Sequence, residues 1–212
     1  MSATLIKEEQ KQLIQGPVGQ LEIVTEEPLA HERKALGIVC HPHSLHGGSM
    51  QNKVVTTLAK AFQYLGLHTV RFNFRGVGKS EGAFDEGRGE LLDLLAVIEW
   101  MKEAYGDCDI WLAGFSFGSY VVAKAATETN IKKLVTVAPP VQDFPMLELP
   151  PIYCSWILVQ GELDDVVPPK AVFEWAENRD PKPLILRFPQ AGHFFHGQLI
   201  DLRTRLEMAL KS

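Results

Sequence analysis

The chain has 212 residues and a formal net charge of −5, with 46% hydrophobic and 22% charged residues. That length and balance predict one globular domain over residues 1–212 with a sizeable core. No Lys/Arg block supports a nucleic-acid partner, and no apolar run approaches the about 20 residues of a membrane span.

The three cysteines, Cys40, Cys108 and Cys154, are odd in number and far apart. They form neither a CxxC pair nor a disulfide framework, and each is expected to pack as a small hydrophobe. Met1–Glu9 has no basic stretch followed by a long apolar run, which argues against a signal peptide. A cytoplasmic protein is the expectation.

In chain order, Lys11–Gln15 and Leu21–Thr25 flank a Gly16-Pro17-Val18-Gly19 turn and read as a hairpin. Ala35–Cys40 is a short buried-strand run. Met50–Leu65 has helical periodicity and stops at Gly66. His68–Phe74 is a strand, Glu90–Tyr105 an apolar helix, Asp109–Ala113 a strand and Ser116–Thr129 a helix. Strands follow at Lys132–Ala138 and Ser155–Gln160, then a helix at Lys170–Asn178. A strand at Leu184–Phe188 and a helix at Phe194–Leu210 complete the chain. Strands alternating with helices predict an α/β fold: a mostly parallel sheet of about eight strands, covered on both faces. Chemistry in such sheets gathers in loops at the carboxyl ends of the strands. Those loops begin at His41, Asn73, Gly114, Pro139, Gly161 and Pro189.

The loop after Asp109–Ala113 reads Gly114-Phe115-Ser116-Phe117-Gly118, between a strand and a helix. This is the setting of a nucleophile elbow. The serine takes a strained turn, and flanking glycines let strand and helix approach without a Cβ clash. The bland alternative is a Gly-rich turn with an N-capping serine. A serine nucleophile needs a base, and the base needs an orienting acid. Two histidines lie downstream, His193 and His196. His193 follows Gly192 just after the last strand and is the expected base. The acid is sought in Gly161-Glu162-Leu163-Asp164-Asp165-Val166-Val167-Pro168, where spacing alone leaves Asp164 and Asp165 level. Glu162 falls too early in the turn. The oxyanion of an acyl transfer needs two N–H donors. One is expected from Phe117, the residue after the nucleophile, and the other from the loop opening at Cys40, where Pro42 has no N–H to give.

Gly114–Gly118, Gly161–Pro168 and Gly192-His193 resemble the three landmarks of the α/β-hydrolase superfamily. His41–Met50, Arg71–Gly82 and His193–His196 are similar to a narrower group, small lidless bacterial α/β hydrolases with few assigned functions. In that pattern the acid of Gly-x-x-Asp-x-x-Val matches Asp164, and the second oxyanion donor matches the His43 N–H. The resemblance thus implies a Ser116, Asp164, His193 triad that needs no metal or organic cofactor.

Two local patterns invite other readings. His41, His43 and His46 are closely spaced enough to begin a metal site, but the sequence supplies no acidic neighbour or later ligand cluster. Arg75-Gly76-Val77-Gly78-Lys79-Ser80 imitates a phosphate loop, yet Asn73 stands where the Walker pattern needs glycine and Glu81 where a dinucleotide fingerprint does. Trp100, Trp111 and Phe115 are read as core, and Phe117 and Phe194 as candidates to line an acyl site. Only Pro139–Cys154, rich in proline, separates two strands where related folds insert a cap. An open site is expected, with Val141, Phe144, Met146 and Leu147 as a shallow apolar wall. These features together point to hydrolysis of small or short-chain esters or thioesters. A non-catalytic scaffold and a peptidase or amidase are the rival readings.

Overall fold

The computed structural model describes residues 9–211. The absence of a signal peptide was read from residues that lie mostly outside these. A hairpin opens the described chain: β1 (Gln10–Gly16) and β2 (Gly19–Glu26) pair antiparallel, with Gly16 opposite Gly19 across Pro17-Val18. β3 (Ala35–Cys40), β4 (His68–Phe72), β5 (Asp109–Phe115), β6 (Lys133–Val137), β7 (Ser155–Gly161) and β8 (Leu184–Phe188) follow, all parallel to one another. The sheet runs β1-β2-β4-β3-β5-β6-β7-β8, and β2 joins β4 antiparallel.

Strand alternation sends successive side chains to opposite faces. Ile110 and Leu112 of β5 face one core with α2 (Arg88–Tyr105), α3 (Phe117–Glu128) and α4 (Pro169–Glu177). Trp111, Ala113 and Phe115 face the other, with α1 (Lys53–Tyr64) and α5 (Leu199–Lys211). Every residue of β3 is buried because helices cover both its faces. Cys40 is buried as expected, whereas Cys108 and Cys154 are only half-buried; all three are free thiols. Trp111 and Phe115 are core, and Trp100 packs against it half-buried.

The structure moves several boundaries, and local contacts account for the largest shifts. α1 starts at Lys53 because the Asn52 side chain accepts the Val54 N–H and caps it. Met50 is instead anchored to the end of β4: its N–H donates to Asn73 and its carbonyl accepts Arg71. β4 ends at Phe72, and Asn73 begins the next loop. α5 starts at Leu199 rather than Phe194, since Phe195 and Gly197 take φ of 51° and 73°. That left-handed break leaves the segment after β8 as a loop. Between β6 and β7 the only helical element is a turn at Met146–Glu148, so no cap domain is inserted there. No helix among the described residues is long and apolar enough to cross a membrane.

Candidate active site

Among the described residues, four non-glycines have positive φ: Glu86, Ser116, Ala138 and Phe195. All sit in loops that leave the carboxyl ends of strands, so backbone strain is concentrated on the face where chemistry is expected. Ser116 is half-buried between β5 and α3, with φ of 53°. Its N–H donates to Val137 and its carbonyl accepts Ser119 N–H, which pins the turn. The glycines are required by contact. A Cβ on Gly114 would lie 2.2 Å from the Gly118 carbonyl oxygen, and one on Gly118 would lie 2.5 Å from that of Cys40. The Ser116 hydroxyl makes no hydrogen bond to another described residue, and neither does the N–H of Phe117 or of His43.

Two further loops converge on this turn. The Leu163 N–H donates to Ala191, and a Cβ on Gly161 would meet the same Ala191 carbonyl at 2.3 Å. Glycine at the end of β7 therefore lets the acidic loop and the histidine loop touch. Across that contact His193 Nδ1 donates to Asp164 Oδ2 at 2.9 Å. A carboxylate only accepts, so the imidazole carries its proton on Nδ1 and leaves Nε2 as a base. The ring lies against Phe115 at 4.9 Å between centroids, beside the residue that carries the free hydroxyl. Asp165 and Glu162 are exposed, and His196 is exposed one turn further on. The tie between the two aspartates is thus broken by burial: Asp164 is the carboxylate that meets His193.

Asp164 is 7% exposed. Burial raises its pKa, but bonds from His193 and from the N–H groups of Val167 and Val166 outweigh that and hold the carboxyl below the ordinary range. A fourth donor, Gln160 Nε2 at 3.1 Å, completes its shell. Sequence reasoning passed over Gln160, although a polar residue closing the apolar run Trp156–Val159 was a visible signal. It also passed over Ser119, a buried serine in an apolar helix. Its hydroxyl accepts the Val137 N–H and has its one proton within reach of both the Gly114 and Val137 carbonyls.

The three clustered histidines do separate jobs. His41 is fully buried, donating Nδ1–H to the Pro42 carbonyl at 2.6 Å and accepting the Phe74 N–H on Nε2 at 3.0 Å. Burial lowers its pKa to about 4, partly opposed by the Pro42 bond. His43 stacks on His46 and lies tilted against Phe84, with ring centroids at 4.4 and 4.6 Å. The imitation phosphate loop is held inside out: Arg75 pairs with buried Asp93 at 2.7 Å, and the Ser80 hydroxyl donates to Asn73.

An alpha/beta hydrolase fold family model matches residues 38–153, more than half of the chain. The chain belongs to the alpha/beta hydrolase family. This α/β hydrolase is 50% identical to an alpha-beta serine hydrolase homologue from Coxiella burnetii, with a TM-score of 0.93 over 95% of this chain and 97% of that one. It is 42% identical to an α/β serine hydrolase without lid from Xanthomonas campestris, with a TM-score of 0.92 over 96% and 94% of the two chains. Among curated proteins, an uncharacterized protein of Rickettsia prowazekii is 35% identical over 139 residues, 62% of this chain. The match spans 58% of that relative's length. Lysophosphatidylserine lipase from Gallus gallus is 38% identical over 79 residues, which are 36% of this chain and 20% of the lipase.

The apolar wall differs from the expectation. Val141 and Met146 are buried in the core of this α/β hydrolase and Leu147 is exposed, so of the four only Phe144 lies half-buried against the elbow, its ring 5.0 Å from Phe117. Phe117 is itself buried, whereas Phe194 is 45% exposed, beside His193.

Proposed function

We propose that the protein is a serine hydrolase that cleaves small carboxylic esters or thioesters through an acyl-enzyme intermediate. The observation that carries this reading is the Asp164–His193 pair packed on Phe115, next to a strained serine with an uncommitted hydroxyl. Ser116 Oγ attacks the substrate carbonyl carbon as His193 Nε2 takes the hydroxyl proton. The Asp164 carboxylate keeps the imidazole in the reactive tautomer and offsets the imidazolium charge. The negative oxygen is held by the N–H groups of Phe117 and His43, whose lack of protein partners supports that role. His193 then gives its proton to the departing alcohol or thiol. Water, deprotonated by His193, attacks the acyl-enzyme and releases the acid and free Ser116. No step calls on a metal or organic cofactor. The short β6–β7 connection supports an open site for small acyl groups. The three free thiols fit a reducing cytoplasmic setting.

The test is a fluorophosphonate probe together with a panel of esters of increasing acyl length, on wild type and Ser116→Ala. Labelling and short-chain turnover that both vanish in Ser116→Ala are expected. A wild type that neither labels nor turns over esters would overturn the reading, and turnover of long-chain esters alone would overturn the small-substrate part.

A further inference from the structure

A cleft of about 540 Å³ lies beside the elbow, with His43 and Tyr120 in its wall. The cleft lies between the β4–α2 loop, α3 and the loop after β6, and four of its lining side chains are aromatic rings. His43 faces Phe84 at 4.6 Å, Phe144 lies 5.0 Å from Phe117, and Tyr120 stacks on Phe144 at 5.2 Å with an interplanar angle of 26°. Of the two residues whose N–H groups are proposed to hold the oxyanion, His43 lines the cleft, and the buried Phe117 ring backs its Phe84 and Phe144 walls. The charges of Glu86, Arg88, Lys124 and Asp143 stand among the lining residues, and Arg88 is tied to Asp85 at 3.0 Å and to Glu86 at 3.6 Å.

The direction of the cleft decides which half of an ester it receives. His193 must protonate the leaving oxygen, so the alcohol part lies on the His193 side, next to Phe115 and Phe194. No residue of the histidine loop lines the ring-walled cleft, which starts instead at His43. The acyl group is the substituent that points into it. Aromatic walls favour a flat ring that can stack or meet them edge to face over a puckered one of the same size.

We infer that this cleft is an acyl pocket selective for flat aromatic acids, with His43, Phe84, Tyr120 and Phe144 as its specificity-determining side chains. This inference rests on the ester-hydrolase reading and narrows it. Phe144 and Phe84 come from separate loops, and both pack on the ring of Phe117.

The experiment compares methyl 3-phenylpropanoate with methyl 3-cyclohexylpropanoate, which present the same reacting carbonyl and differ only in the distant ring. Methyl butanoate reports the underlying reaction. Wild type is expected to favour the phenyl ester by about two- to tenfold in kcat/KM, the range that one or two ring contacts supply. The ratio is expected to fall toward one in Phe144→Leu and in Phe84→Leu. Each ratio is read on a single preparation, so a loss of folded protein cancels. Equal kcat/KM for the two rings in wild type, or a preference unchanged in both variants, would overturn the pocket assignment while methyl butanoate turnover upheld the reaction. Failure to hydrolyse methyl butanoate as well would overturn the reaction class and the pocket together.

Discussion

The side-chain amide of Gln160 donates to the same Asp164 oxygen that accepts His193 Nδ1, at 3.1 Å. Two donors on Oδ2 and two backbone N–H groups on Oδ1 leave this carboxylate one orientation. Removing the amide should loosen the acid without removing it. In Gln160→Leu the expected loss of kcat is modest, about three- to tenfold, because three donors still hold the carboxylate in place. Stability should change little, because Gln160 Oε1 is a buried acceptor without a partner and is removed with the amide. A kcat loss as large as that of Asp164→Asn would show that Gln160 does more than position the acid.

Asp164→Asn should be far more damaging. The asparagine can present an amide N–H to His193 Nδ1, which favours the wrong imidazole tautomer. The expected cost is about 10³- to 10⁴-fold in kcat, with circular dichroism unchanged. Asp165→Asn, at an exposed position, should keep kcat within about twofold of wild type. Comparable losses in the two variants would show that burial does not pick out the acid.

His41 couples stability to pH. Its imidazole is buried neutral, with a pKa of about 4 against an ordinary value of 6.5. Between those values the unfolded chain binds the extra proton, so stability rises with pH through the window. The contribution is present above pH 6.5, is lost progressively as pH falls toward 4, and amounts to about 3 kcal/mol. His43 is lowered in the same direction, by burial and then by His46, and adds to the slope. Asp164 acts in the same sense in a more acidic window: its stabilisation is present above its unfolded value and fades as pH falls below it. Urea unfolding of wild type from pH 4.5 to 7 should show the slope, and His41→Gln should flatten most of it. An unchanged slope in the variant would reassign it to other groups.

Gly118 sits where α3 meets the β3 loop. An added Cβ would approach the Cys40 and His41 carbonyl oxygens at 2.5 and 2.6 Å. Both are backbone atoms and cannot swing aside. Gly118→Ala should therefore cost about 1–3 kcal/mol of stability and displace the elbow from the His43 loop. Denaturant midpoints measure the first effect and kcat of the folded fraction the second. A midpoint equal to wild type would refute the tight contact.

Much of the site was legible before the fold. The Gly114–Gly118 spacing located the strained serine, since only glycines fit such a turn, and burial and φ agree. Element order was legible from apolar periodicity, because strands and helices bury different repeats. Element ends were less so. Asn52 was a cap hidden inside a helical pattern, and nothing local announced that Phe195 would turn left-handed and delay α5. The choice of Asp164 needed a family pattern, because neighbouring aspartates differ only in which one the folded loop buries. Gln160 went unread because its bond to Asp164, four residues on, depends on how the loop after β7 turns back, and Ser119 because its partners are backbone groups.

The sequence by itself determined the family, the order of strands and helices and the identity of the strained serine, all of which depend on local spacing and residue type. Tertiary structure decided what depends on distance. It closed Gly161 onto the Ala191 carbonyl and so brought Asp164 to His193. It also packed Val141 and Met146 inside while leaving Phe144 beside Phe117 in the cleft wall. Periodicity says that a side chain has an apolar neighbour; only the packing of separate loops says which neighbour, and on which side of the serine.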